Sequence, residues 1–249
     1  MGAWIWVCAG VLAAVSLLAA PVVEELEVRH PERHGLLESF GGGVSVAYAI
    51  VDLLPSLAGA QAKLVGRQGR LYLLAEHHVY VVALLGLIVF YGLEVLARRP
   101  RTSRAGEGEE ADLAIFWIHV GAFAVYSAVI GALLVFEKGT SGESLAWFTV
   151  AMAFHFFVNA TSLQELQRKA YRRTGRWVMA GAVLAGCGAA VLAGAGSPTY
   201  VALAAFVAGG ILVNVLKEEL PAEKSIRFGV FALGAAGFTA LLLRASAAE

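Results

Sequence analysis

Two histidines sit in stretches otherwise apolar enough to dissolve in lipid: His119 in IFWIHVGAFAVYSAV and His155 in WFTVAMAFHFFVNATSLQEL. Asn159 follows His155 by four residues, so on a helix the two side chains stack on one face. Imidazole nitrogen suits zinc, iron, copper and nickel, and two imidazoles on neighbouring helices can share one such ion. Two acids join them. Asp52 and Glu218 each precede a Leu-Pro pair by two residues. Proline opens the helical hydrogen-bond ladder there, and a carboxylate beside freed carbonyls can bind cations or carry protons. Ionisable groups at bilayer depth cost several kcal/mol on most scales, which makes each a functional candidate. The bland alternatives are that each His donates to a backbone carbonyl of the next helix, and that both acids are solvated among headgroups.

The elements that must position these groups follow from composition. Of 249 residues, 59% are hydrophobic and 15% charged, with a mean hydropathy of +0.71. Soluble domains carry far more charge. The charges cluster, and the runs between them are long enough for helices that cross hydrocarbon. The reading is an all-α integral membrane protein of eight spans: 3–22, 36–57, 73–97, 113–136, 145–165, 177–195, 199–217 and 226–243. Residue 3 onward is read as a retained helix and not a signal peptide, because no Lys or Arg precedes it. Fourteen of the nineteen Lys and Arg residues fall after spans 1, 3, 5 and 7. Positive loops stay inside, so both termini are expected outside, and the membrane is read as a prokaryotic plasma membrane.

A repeated signature organises the spans. FGGGVSVAYAIVDLLP (40–55) and FVAGGILVNVLKEELP (206–221) share Phe, two residues, Gly, eight residues, an acid, one residue and Leu-Pro. Spans 2 and 7 would cross in opposite directions, as in transporters built from inverted repeats. The expected architecture is 3+2+3, with spans 1–3 and 6–8 as inverted repeats around spans 4 and 5.

Other polar groups carry weaker signals. Glu76, His77 and His78 open span 3, but adjacent residues point to different helix faces. His30 and His34 lie in a charged connection with Glu24, Glu25 and Glu27. Residues 98–112, RRPRTSRAGEGEEAD, read as a flexible cytoplasmic loop. Gln164 and Glu165 lie at the expected inner mouth. Cys8 and Cys187 read as buried small residues, and the 28 glycines as helix-packing residues. No phosphate-cradling loop, Ser-His-Asp arrangement or nucleic-acid surface is legible.

The pattern resembles the ZIP family of zinc and iron permeases along essentially the whole chain. The resemblance rests on eight spans, the connection between spans 3 and 4, the glycine and Leu-Pro signatures of spans 2 and 7, and one His in each of spans 4 and 5. It implies a metal site between spans 4 and 5 with His119 and His155 as imidazole ligands. Asn159 stands where the family usually has Glu, and Asp52 and Glu218 resemble polar positions flanking the metal path. The chain departs from the family at Phe123 and Phe156, where acids are expected, and at Ala122 and Val158, where each motif has Pro. The family's two-metal site is therefore not intact. The resemblance implies a secondary transporter of a divalent cation (zinc, iron or manganese) with a single-ion site, not an enzyme. The metal is cargo and no cofactor is expected. Partners are the cation and the lipid bilayer, not nucleic acid, with a homodimer left open. The alternative is a divergent homologue of different specificity or one that senses or scaffolds without transporting; a metal-dependent intramembrane hydrolase ranks last.

Overall fold

The computed structural model describes residues 2–55, 58–59, 78–97, 107–136, 142–193, 198–218 and 227–247, and among these it is all-helical. Eight α-helices follow in chain order: α1 Gly2–Arg29, α2 Pro31–Ala47, α3 His78–Ala97, α4 Glu107–Phe136, α5 Gly142–Ala170, α6 Arg176–Ala193, α7 Pro198–Glu218 and α8 Phe228–Ala247. Among the described residues, four segments are long and apolar enough to cross a membrane: Gly2–Arg29, Pro31–Leu53, Leu113–Val135 and Gln167–Leu192. Shorter apolar runs occupy His78–Leu93, Leu145–Thr161 and Phe228–Arg244. Helix is the expected solution, because it satisfies every backbone group within the segment that hydrocarbon would leave without water.

Several helices outrun the apolar spans that mark them in the sequence. At 28 residues, α1 is about 42 Å long, beyond the roughly 30 Å of hydrocarbon. Its charged tail, Glu24 to Arg29, continues the same helix past Pro21. A single residue, His30, then links it to α2, where Pro31 supplies a helix-ready φ and needs no hydrogen-bond partner. Likewise α4 begins at Glu107, so the last six residues of the 98–112 stretch are helical and not loop. Residues 98–106 lie outside the described residues.

The basic stretch after α5 is helical too. Gln167 breaks the helix with φ −152° and ψ 79°. The chain then coils again at once, through a wide π turn at Tyr171–Gly175, into α6. A second π turn, Tyr48–Leu53, ends α2, and the Leu54 N–H bonds to the Ala49 carbonyl five residues back. Pro55 has no N–H to offer the carbonyl of Val51, so widening the coil here resets the ladder where proline interrupts it.

Three helix pairs cross at glycines in the same way. Between α2 and α8, a methyl on Gly43 would collide with the Phe231 carbonyl, and one on Gly234 with the Phe40 carbonyl. Between α3 and α7, Gly86 meets the Phe206 carbonyl and Gly209 meets that of Ala83. Between α4 and α6, Gly131 meets Val183 and Gly186 meets Ala128. In each pair a glycine faces the carbonyl three residues before its partner glycine. Backbones this close gain dispersion and Cα–H···O contacts, the main adhesive available between helices in lipid. The pairs α4–α6, α3–α7 and α2–α8 are also the most extensive in the fold, while α1 packs across α5 and α6.

Candidate functional site

Three of the buried polar residues, Ser16, Ser127 and Asn159, meet where α1, α4, α5 and α6 come together. Phe123 and Ser127 come from α4, Phe156, Asn159, Ala160 and Leu163 from α5, and Ser16 from α1; Met179 of α6 and Tyr171 of the π turn close a small pocket. Its free space of about 10 Å³ is the room of roughly one water molecule. Spacing explains the lining: positions 156, 159, 160 and 163 share a face of α5, as 123 and 127 share one of α4. Ser16 spends its hydroxyl on the Leu12 carbonyl (3.0 Å), and Ser127 donates to the Met179 sulfur at 3.6 Å.

Both histidines are buried, at 3% exposure for His119 and 1% for His155. His119 Nδ1–H donates to the Ile115 carbonyl of its own helix (3.0 Å). A carbonyl can only accept, so in the neutral ring Nε2 carries the lone pair. His155 Nε2 is hydrogen-bonded to the Tyr126 hydroxyl at 2.5 Å. If the hydroxyl accepts, His155 Nδ1 is a lone pair; if it donates, Nδ1 holds the proton. Tyr126 is held in place by edge contacts with Phe90 and Phe123, at 5.7 and 6.1 Å between ring centres. Each imidazole therefore has one nitrogen engaged and one open. Both open atoms, His119 Nε2 and His155 Nδ1, are buried without a hydrogen-bond partner among the described residues. Neither engagement is the bond to a carbonyl of a neighbouring helix that the bland alternative requires.

The two rings are not on one level. Tyr126, which meets His155, lies seven residues beyond His119 on α4, about 10 Å of axial rise. Asn159 is buried and lines the pocket, next to Phe123 and Phe156, the two positions where the sequence resemblance expects acids. Asp52 lies apart from the pocket, half-buried in the α2 π turn. The side chains of Glu218, Asn214 and Glu165 lie outside the described residues, as do Glu76 and His77, while His78 is exposed at the start of α3. His34 Nδ1 is 3.7 Å from Glu38 on its own helix, and His30 is exposed. Gln164 is buried with both amide atoms unpartnered among the described residues. Among those residues no group of three or more His, Cys, Asp or Glu converges to hold a metal.

No protein-family model matches the chain, and no curated protein matches it. The pocket offers amide and hydroxyl oxygen and one thioether, and neither histidine lines it, so any cation there keeps most of its charge in a low-dielectric setting. Sequence reasoning ranked the histidines and Asn159 as candidates. It gave no role to Tyr171, Met179 or Ser16, whose part depends on how four helices are rotated against each other.

Proposed function

We propose that the chain is a ZIP-like secondary transporter for a divalent transition-metal cation, which passes His119 and the His155–Asn159 pair one after the other and is not held by all three residues at once. The observation that carries this reading is the pair of buried imidazoles, each with one nitrogen fixed by a hydrogen bond and the other open. Metal-binding histidines are arranged this way: the second ring nitrogen is bonded to a carbonyl or other polar group, which sets tautomer and ring orientation. A buried polar atom without a partner is costly and calls for a ligand. On this reading His119 and the His155–Asn159 pair are successive stations along α4 and α5, and Asp52 and Glu218 flank the path.

The architecture proposed with it is eight spans in a 3+2+3 arrangement with inverted repeats, termini outside a prokaryotic cell membrane. Two features support the repeats. Gly43 and Gly209, equivalent in the two sequence signatures, are each half of a glycine crossing, and Phe40 and Phe206 each present a carbonyl to the opposing glycine. The main helix pairings also survive exchange of α1 with α6, α2 with α7, α3 with α8 and α4 with α5. Under it α3–α7 becomes α8–α2, and α4–α6 becomes α5–α1.

The test is uptake of zinc, iron(II) and manganese into proteoliposomes by the intact protein and by a His119→Ala/His155→Ala double variant. At least a tenfold loss of flux is expected for one of the ions; equal fluxes remove the metal reading. One observation favours a second reading, a homologue that senses or scaffolds without transporting: Phe123 and Phe156 fill the pocket with apolar surface. Protein purified without bound metal, and showing no thermal shift on zinc addition, would favour that reading.

A further inference from the structure

The basic stretch between α5 and α6 divides its cations between two faces. Arg168 and Arg172 pair with Glu27 and Glu24 of α1, at 2.8 and 2.5 Å. Lys169 and Arg173, one residue further on in each case, are exposed and have no ion-pair partner among the described residues. Trp177 continues their four-residue spacing and is 58% exposed, with the Arg176 guanidinium 5.7 Å from its ring centre. Beyond Trp177 the same face is exposed and uncharged, with Leu184 and Leu192 beside it. One face of this helix thus passes from two free cations, through an amphipathic aromatic, to apolar surface.

That order matches the depth profile of a bilayer leaflet. Tryptophan settles at the headgroup level, basic residues beyond it meet lipid phosphates, and apolar residues below it meet acyl chains. Arg173 stands one turn, about 6 Å, past Trp177, close to the thickness of one headgroup layer. We propose that this face seats an anionic phospholipid, its phosphate held between Lys169 and Arg173, its glycerol against Trp177 and an acyl chain along α6. The proposal needs α6 to be in a membrane and does not depend on any transported ion. The charge division accounts for the five cations of this short stretch: Arg168 and Arg172 tie it to α1, Arg176 lies over Trp177 and donates to the Leu17 carbonyl at 3.4 Å, and two remain for lipid.

Native mass spectrometry of the full chain released from detergent would measure binding of phosphatidylglycerol and of phosphatidylcholine with the same acyl chains. The intact protein is expected to favour phosphatidylglycerol. Lys169→Gln/Arg173→Gln should weaken that binding roughly tenfold or more and leave phosphatidylcholine unchanged, which also reports that the variant is folded. Lys169→Arg/Arg173→Lys should keep the preference, and so should Arg33→Gln/Arg244→Gln, which removes two exposed cations elsewhere. The proposal is overturned by equal binding of the two lipids to the intact protein. It is equally overturned by an unaffected neutral double variant, or by an equal loss when Arg33 and Arg244 are neutralised. Displacement by equimolar inorganic phosphate would make this a free-anion site and not a lipid seat.

Discussion

The α4–α6 crossing and the α1–α5 contact would be equivalent under the proposed repeat, yet they are built differently. The first is closed by Gly131 and Gly186, backbone against backbone. The second has no glycine at its centre; alanines such as Ala9, Ala13, Ala151 and Ala160 are buried near it. It borders the pocket and the unpartnered Gln164, and its charged end is tied by ion pairs across to Arg168 and Arg172. Glycine crossings fix two helices as one body, because any slide drives carbonyls into Cα atoms. Ion pairs between flexible side chains at a water-exposed end do not. The comparison divides the bundle into three locked pairs and one looser seam, and the seam runs beside the polar residues.

The largest effect should come from breaking a locked pair. Gly209→Leu would drive a side chain into the α3 backbone at Ala83 and Leu87, where no rotamer change relieves the clash. A cost of about 3 kcal/mol or more is expected, at the upper end of overpacking penalties. Gly92→Leu, where a side chain would meet nothing within 4 Å, serves as the control. Unfolding midpoints in detergent for both variants measure the difference. Equal midpoints would mean that the glycine crossing is not what joins α3 to α7.

Half of that crossing was legible in the sequence and half was not. Gly43 and Gly209 stand out through the repeated signature. Their partners Gly234 and Gly86 do not, because which helices meet is a long-range property that no local spacing records. The same limit applies to the site. His119, His155 and Asn159 are conspicuous as polar residues in apolar runs, whereas pairing Tyr126 with His155 requires the rotation of α4 against α5. The basic stretch before α6 falls between two spans in the sequence for a different reason. Charge ends a membrane span in the sequence, but a helix can continue beyond the lipid, as α1 does to Arg29 and the coil before α6 does from Arg168.

A middling effect is expected at Tyr126. Tyr126→Phe keeps the ring against Phe90 and Phe123 but removes the hydroxyl, leaving both nitrogens of buried His155 without this bond. Leaving a buried polar atom unmatched costs about 1–3 kcal/mol. The unfolding midpoint should fall by less than for Gly209→Leu. The double variant Tyr126→Phe/His155→Leu should recover part of the loss, since neither end of this bond is then left unmatched. A double variant no more stable than Tyr126→Phe would show that the loss has another source.

The smallest effect belongs to the ion pairs of the looser seam. Glu24 and Arg172 are 32% and 48% exposed in their side chains, and Glu27 and Arg168 30% and 49%. Pairs with this much access to water contribute up to about 1 kcal/mol and are screened by salt. Their geometry is antiparallel: Glu24 meets Arg172 and Glu27 meets Arg168, so the two pairs fix the register of the α1 tail against the coil leading into α6. A double-mutant cycle on Glu24→Gln and Arg172→Gln should give a coupling below about 1 kcal/mol that shrinks when sodium chloride is raised. A coupling of several kcal/mol, insensitive to salt, would place this seam with the locked crossings and erase the distinction between the two parts of the bundle.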